Sequence, residues 1–150
     1  MATDAKALVH RWFEEVWNQG RMETIDELFP ADGVAHGLGE GGTVVRGPDA
    51  FKPLVRNLRG SIPDIHISVE DVIMEGDRVA FRVVLEGTHK GEGLGVPPSG
   101  RRVQVKGIIM LRIADGQIKE GWNSWDQLGL LQQIGAMPAP EKTDRFLRRS

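Results

Sequence analysis

The chain has 150 residues, with 19 Lys plus Arg against 21 Asp plus Glu and a formal net charge of −2 at pH 7. This length suits one domain with its own core, and the balanced charge predicts no nucleic-acid partner and no anionic membrane partner. The absence of cysteine excludes disulfides, thiol nucleophiles and cysteine-based zinc sites. No apolar run approaches the roughly 20 residues of a membrane span, and the first residues lack the apolar core of a signal peptide. We therefore expect a cytoplasmic protein.

Three helices are predicted ahead of the strands. The first carries an apolar stripe whose members recur one and four residues apart, and Gly20 ends it. The stripe consists of Leu8, Val9, Trp12, Phe13, Val16 and Trp17. A second, short helix, METIDELFP, ends at Pro30, and a third begins near GPDAF, where Pro48 suits a first helical position. Pro53 follows too closely for a regular helix, so we expect an irregular or kinked start.

After the third helix the apolar period changes from 3.6 to 2, which predicts strands. The segment DIHISVEDVIM changes phase between Val69 and Val72, as a β-bulge does, and EGD predicts a hairpin turn. The next strand aligns six residues on one face, namely Val79, Phe81, Val83, Leu85, Gly87 and His89. After the loop of residues 90–100, a strand alternates over residues 103–113, and the last strand ends near Trp125 before a closing helix.

Helices followed by a meander of antiparallel strands are typical of an α+β fold with the helices on one side of a curved sheet. Twist and a bulge would coil such a sheet into an open cone rather than a closed barrel. A cone lined by strand side chains and covered by the N-terminal helices is a central small-molecule pocket. We expect residues 1–138 to form this single domain and residues 139–150 to form a C-terminal tail that is ordered only against a partner subunit.

Asp126, between the last strand and the closing helix, has two interpretations. As the N-cap of that helix it would have an ordinary structural role worth roughly 1 kcal/mol. As a base it would have to face the pocket, where desolvation raises the pKa of a carboxyl group. Strand alternation places it on the face of Ile118, Trp122 and Ser124, which is mostly apolar or small and suits an interior. Glu120 shares that face and would lie at the far end of the pocket or at a subunit contact.

Two histidines are candidates for the same pocket. His89 follows a run of apolar residues on one strand face and adjoins a glycine-rich loop, a position where functional groups collect. It is either a core histidine bonded to backbone or an imidazole in the pocket. His36 follows the second helix and is either a surface residue or a second pocket imidazole. The histidines show no HxH or HExxH spacing, so no metal site is predicted.

An apolar, aromatic pocket with one aspartate and one or two histidines suits proton transfer at a carbon next to a carbonyl. Desolvation makes an aspartate a more useful base, and an imidazole opposite it could donate a hydrogen bond to the developing enolate. Neither step requires a cofactor, and none is predicted.

Over roughly residues 5–138 the chain resembles the SnoaL-like polyketide cyclases, within the NTF2-like superfold of α+β cones. The motifs that carry the resemblance are EEVWNQGRMETIDELFPADGVAHG, GPDAF, IPDIHISVEDVIMEGDRVAFRVVLEGTHKGEGLGVPPSGRRV and DGQIKEGWNSWDQLGLLQQIG. The resemblance implies a helix-covered cone, dimeric or tetrameric, that closes a ring of an aromatic polyketide ester by an intramolecular aldol reaction without a cofactor. Two features depart from the family: EGW, with Gly121, stands where it often has EHW, and the chain has no tyrosine. Both concern the substrate more than the fold.

The resemblance also implies site residues. The family's aspartate in the C-terminal strand maps to Asp126 as the acid/base, and its pocket histidines map to His36 and His89. The tryptophans that line the family's pocket map to Trp12 or Trp17 and to Trp122 or Trp125. These four tryptophans, together with Phe81 from the inward face of its strand, are the residues predicted to bind the substrate.

Two other functions stay open at this point. An epoxide-opening hydrolase or cyclase would pair two carboxylates such as Asp126 and Glu120, although such sites usually add Arg or Tyr. A non-catalytic small-ligand binding module would use Asp126 only as a helix cap. The apolar outer face of the sheet, with Val84, Ile108 and Met110, predicts a homodimer or homotetramer.

Overall fold

The computed structural model describes residues 2–38 and 43–138; the tail predicted for residues 139–150 lies outside the described residues. The helices are α1 (Ala2–Arg11), a π-helical segment (Trp12–Asn18), α2 (Met22–Leu28), α3 (Gly47–Ser61) and α4 (Gln127–Gln133). The strands are β1 (Val34–His36), β2 (Val45–Arg46), β3 (His66–Glu75), β4 (Arg78–Thr88), β5 (Arg102–Ala114) and β6 (Gln117–Trp125). The helices and the antiparallel meander β3 to β6 confirm the α+β prediction, but β1 and β2, which were not predicted, lie between α2 and α3. Within the described ranges, no helix combines the length and apolar character of a membrane span.

The six strands form one curved sheet in the order β2-β1-β6-β5-β4-β3. All neighbouring pairs are antiparallel except β1 and β6, which run parallel. The outermost strands, β2 and β3, do not pair with each other, so the sheet is an open cone, as predicted. The parallel pair brings the segment after α2 back to the last strand, and this closes one side of the cavity described below.

The helical layer packs on the concave face of the sheet. Phe13 of the π-helical segment meets Phe81 of β4 edge-on, with ring centroids 5.5 Å apart, and the neighbouring Val9 and Val16 are fully buried. Burial of each such side chain contributes roughly 1.5–3 kcal/mol. The inward face predicted for β4 is confirmed, because its alternate residues from Val79 onward are buried.

The bulge predicted in β3 is present. Its register with β4 shifts between Glu70 and Ile73, and Asp71 within the shift has a φ of 52°. The sequence shows this bulge because the apolar side chains before and after it fall on different faces.

A second irregularity, between β5 and β6, was not predicted. Arg112 lies opposite Glu120, whereas Ile113 lies opposite Ile118, so Lys119 is an extra residue on β6. An extra residue reverses the alternation of every side chain beyond it. The face that we predicted for the second half of β6 is therefore wrong.

The first predicted helix changes its winding partway along. Residues 2–11 are α-helical, but Trp12–Asn18 is a π-helix, and Gly20, with a φ of 75°, follows it. The irregular start expected for the third helix is absent, because α3 is a single helix that runs through Pro53.

Candidate functional site

A cavity lies between the helical layer and the concave face of the sheet. Its aromatic lining consists of Trp12, Phe13, Trp17, Phe29, Phe51 and Trp125, and its strand lining is mainly aliphatic, with Ile67, Leu85, Val105, Ile109, Leu111 and Ile118. The volume of this cavity is about 160 Å³. An apolar protein cavity of about 150 Å³ can hold a benzene molecule, so the cavity has room for an organic ligand.

Four of the aromatic rings form a continuous wall on the helical side. Phe51 of α3 is at its centre, with ring centroids 5.3 Å from Trp12, 5.7 Å from Trp17 and 5.3 Å from Phe29. The rings are tilted or edge-on to one another, the geometry that aromatic pairs prefer. We call these four residues the aromatic wall.

The polar groups of the lining are few and mostly donate hydrogen bonds. Apart from the indole N–H groups, the polar side chains there are Asn123 and Gln127. Asn123 Nδ2 donates a hydrogen bond of 2.9 Å to the backbone oxygen of His36. That bond fixes the orientation of the amide, which leaves its second N–H and Oδ1 free of bonds to the described residues.

Asp126 lies on the outer side of the sheet end, not on the cavity. Beyond the irregularity at Lys119, the inward residues of β6 are Gly121, Asn123 and Trp125, so the predicted inward face is reversed. The exposed Asp126 carboxylate accepts a hydrogen bond of 2.9 Å from the backbone N–H of Gly129. Asp126 is therefore the N-cap of α4, which is the first of the two interpretations given for this residue.

His89 is fully buried but does not line the cavity. Its Nδ1 accepts a hydrogen bond of 3.1 Å from the backbone N–H of Ser99 and lies 2.9 Å from the Ser99 hydroxyl. Because Nδ1 is an acceptor, the proton of the neutral imidazole is on Nε2. That Nε2 has no hydrogen-bond partner among the described residues.

His36 and Trp122 lie together on the outer face of the sheet. Their rings stack with centroids 5.7 Å apart and an interplanar angle of 14°, and His36 Nε2 is 2.6 Å from a carboxylate oxygen of Glu120. On the same indole, the Arg78 guanidinium carbon lies 5.1 Å from the ring centroid, a cation–π contact. Neither predicted pocket residue belongs to the cavity lining.

Two carboxylates lie on the solvent side of the π-helical segment. A hydrogen bond from the Thr24 hydroxyl, followed by one from Arg11, lowers the pKa of Glu15. A hydrogen bond from the Asn18 amide lowers the pKa of Glu14. Both groups are therefore charged at neutral pH and suit structural bonding rather than proton donation.

The structure thus brings together three of the eight predicted site residues: Trp12, Trp17 and Trp125. Phe81 is buried behind Phe13 and does not reach the lining. Four further lining residues were not predicted as site residues, namely Phe29, Phe51, Asn123 and Gln127. The helical apolar stripes were a signal for the two phenylalanines, whereas the inward position of Asn123 depends on the irregularity in β6. Among the described residues, no three His, Asp or Glu side chains are close enough to hold a metal ion.

An open α+β cone with an apolar cavity between its helices and its sheet is the architecture of the NTF2-like proteins. The family model described as SnoaL-like polyketide cyclase matches residues 7–134. The chain therefore belongs to the SnoaL-like polyketide cyclase family, as the sequence motifs predicted.

Relatives of this chain are named as cyclases. Aklanonic acid methyl ester cyclase DnrD of Streptomyces peucetius is 30% identical over 129 residues, which are 85% of this chain and 89% of the relative. Nogalonic acid methyl ester cyclase of Streptomyces nogalater is 33% identical over 121 residues, which are 79% of this chain and 89% of the relative.

Solved structures agree on the fold. A protein assigned to the SnoaL-like polyketide cyclases from Jannaschia sp. CCS1 superposes with a TM-score of 0.80 at 30% identity, covering 91% of this chain and 94% of that one. A protein of ketosteroid isomerase-like fold from Catenulispora acidiphila DSM 44928 has a TM-score of 0.72 at 20% identity, covering 89% and 93%. The second likeness concerns the fold alone.

Proposed function

We propose that this protein binds a flat, hydrophobic carbonyl or ester compound of the aromatic polyketide kind in the cavity and closes a ring within it. The chemistry of the lining carries this proposal. Six aromatic rings provide flat apolar surfaces, and indole N–H groups are donors only. Carbonyl oxygens are acceptors only, so a ring system bearing several carbonyls complements this lining. The named relatives, cyclases of aklanonic and nogalonic acid methyl esters, support the same substrate class.

The reaction is an intramolecular aldol closure. A proton leaves the carbon between two carbonyls, that carbon forms a bond to a third carbonyl carbon, and the oxygen of this carbonyl takes up a proton. Atoms and electrons balance within the substrate, so the product is an isomer and no cofactor is required. Holding the two reacting carbon atoms in contact provides much of the rate enhancement, because the entropy needed to orient them is already lost when the substrate binds.

Asn123 has the polar role in this mechanism. Since one Nδ2–H is occupied by the His36 carbonyl, the other is oriented in advance and can donate to the developing enolate oxygen. A fixed donor in an apolar surrounding stabilises such charge more than a mobile one in water. Asp126, His36 and His89 lie outside the lining, so in this proposal the proton is exchanged with solvent rather than with one of these side chains.

Incubation with nogalonic acid methyl ester and aklanonic acid methyl ester, followed by chromatography and mass spectrometry, tests the proposal. We expect a product of unchanged mass and new retention time that forms faster with the protein than without it. Asn123→Leu should lower kcat by roughly 10²-fold, the usual loss for one oxyanion donor. Ser124→Ala, an exposed neighbour on the outer face, is the matched control and should leave kcat unchanged. Equal rates for Asn123→Leu and the wild type would refute the role of Asn123.

A non-catalytic binding module is the second candidate. It is favoured by one observation: the part of the lining that the structure describes has no carboxylate and no imidazole. Saturable binding of both esters without any rate enhancement would support this function over the cyclase. The epoxide-opening alternative lacks support, because its two carboxylates, Asp126 and Glu120, lie on the outer side of the sheet and do not line the cavity.

We also propose that the protein forms a symmetric dimer through the outer face of the sheet. Ile108 at the centre of that face is 61% exposed, and the half-buried Val84 and Met110 lie on the same side of adjacent strands. A two-fold axis lets one such patch cover its own copy.

A further inference from the structure

The π-helical segment carries half of the aromatic residues that line the cavity, namely Trp12, Phe13 and Trp17. Its wide winding is seen at its end, where the backbone N–H of Gln19 donates a 3.0 Å hydrogen bond to the oxygen of Glu14, five residues earlier. π-Helical turns are rare and occur frequently at functional sites. The location of this one makes its geometry a candidate determinant of what the cavity binds.

The winding decides whether the two indoles share one wall. In an α-helix, at 3.6 residues per turn, side chains five residues apart point about 140° away from each other. In a π-helix, at about 4.4 residues per turn, the same separation is about 50°. Trp12 and Trp17 are five residues apart, and both contact the Phe51 ring. With α-helical winding, this sequence would turn Trp17 away from Phe51 and out of the cavity lining.

Two side chains hold the end of the π-helical segment in place. The Asn18 amide makes a pair of bonds with the backbone of Ile67: Nδ2 donates to its oxygen at 3.1 Å, and Oδ1 accepts from its N–H at 2.7 Å. Arg59 Nη1 donates to the backbone oxygens of Trp17 and Asn18 at 2.8 Å and 2.7 Å. Ile67 belongs to β3, an edge strand, so the Asn18 amide occupies the free edge as a neighbouring strand would.

We propose that Asn18 is a positioning residue that sets the preference of the cavity for flat ring systems. By binding both backbone groups of Ile67, it fixes the rotation of the segment at the position where Trp17 joins the aromatic wall. A flat ligand contacts both indoles across their faces, whereas a puckered ligand of the same size does not. This inference rests on the proposed function, because it concerns selectivity at the same cavity.

A pair of probes with one carbon skeleton tests the inference: 2-naphthol, which is flat, and trans-decahydro-2-naphthol, which is puckered. Isothermal titration calorimetry gives the ratio of their dissociation constants. We expect the wild type to prefer 2-naphthol on the order of tenfold, from two aromatic contacts. Asn18→Ala should reduce this ratio at least threefold. Asn57→Ala is the matched control, because that asparagine also binds a backbone oxygen, of Gly93 at 3.0 Å, but does not line the cavity.

Deletion of the exposed Glu14 provides a rescue. It leaves Trp12 and Trp17 four residues apart, which in an ordinary α-helix separates them by about 40°. The tryptophans then face the cavity without π-helical winding and without the bonds from Asn18. The double variant, Asn18→Ala with Glu14 deleted, should therefore regain the preference of the wild type. A general loss of stability in Asn18→Ala would not be repaired in this way.

The outcomes separate the two proposals. If the wild type binds neither probe, the proposed binding of flat aromatic compounds fails, and the inference fails with it. If the wild type shows the preference and folded Asn18→Ala keeps it within twofold, or loses affinity for both probes equally, only the inference is overturned. If Asn18→Ala does not fold, the double variant decides: a folded, selective protein supports the inference, and an unfolded or unselective one overturns it.

Discussion

Replacement of Asp126 distinguishes a helix cap from a base. The exposed carboxylate makes one 2.9 Å hydrogen bond to the Gly129 N–H, and removal of an N-cap of this kind costs about 1 kcal/mol. For a chain of this length that corresponds to a fall in Tm of roughly 2–4 °C. Asp126→Asn retains a capping oxygen and should lose less stability than Asp126→Ala. Because α4 carries the lining residues Gln127 and Leu130, Asp126→Ala should also raise KM slightly while turnover stays within about twofold.

Thermal unfolding followed by circular dichroism, together with turnover of nogalonic acid methyl ester, provides the measurement. If Asp126 is only a helix cap, the Tm should decrease in the order wild type, Asp126→Asn, Asp126→Ala, and all three proteins should turn over the ester at similar rates. A base predicts the opposite: an unchanged Tm for Asp126→Asn and turnover that falls by roughly 10²-fold or more. That second result would refute the placement of Asp126 outside the chemistry and would return it to the role expected from the family resemblance.

Three further predictions concern stability and assembly. Hydrogen bonds from the Thr88 N–H and hydroxyl lower the pKa of Asp64, so the stabilisation by this carboxylate is present above its pKa in the unfolded chain and is lost as the pH falls through its lower pKa in the folded protein. Because solvent screens this half-exposed carboxylate, Asp64→Asn should lower the free energy of unfolding at pH 7 by at most about 1 kcal/mol, and by much less in acid, in urea titrations. Ile108→Asp should convert a dimer into a monomer in sedimentation velocity experiments, and a monomeric wild type would contradict the dimer. Gly37→Ala should lower the free energy of unfolding by more than about 2 kcal/mol, because φ is 81° and the new methyl overlaps a backbone carbonyl of β6. Gly76 also has a positive φ but open space around it, so Gly76→Ala measures the cost of the backbone conformation alone. Equal losses of stability in the two variants would exclude the overlap.

Features with a local cause were predictable from the sequence. The apolar periods distinguished helices from strands, and the run of helices before strands defined the α+β class. The bulge in β3 was visible because apolar residues lie on both sides of it and change face. The irregularity in β6 was hidden, since Lys119 and Glu120 are both polar and no apolar alternation marks the change of phase there. This one extra residue turns the side chains that were predicted to face inward to the outer face, and the others inward. Asn123 therefore reaches the cavity and Asp126 does not.

The sequence by itself determined the fold class, the helices, the four strands β3 to β6, the family and the presence of an aromatic, apolar cavity, because these follow from local periodicity and from motifs that span the chain. The two short strands β1 and β2, which lie between α2 and α3, were not predicted. Only the tertiary structure decided which polar groups reach that cavity. The face of each β6 residue depends on its register with β5, which is a property of two strands together. The shared wall of Trp12 and Trp17 likewise depends on a π-helical winding held by Ile67 and Arg59, which are distant in sequence. Contacts between distant segments select among arrangements that the local pattern leaves nearly equal.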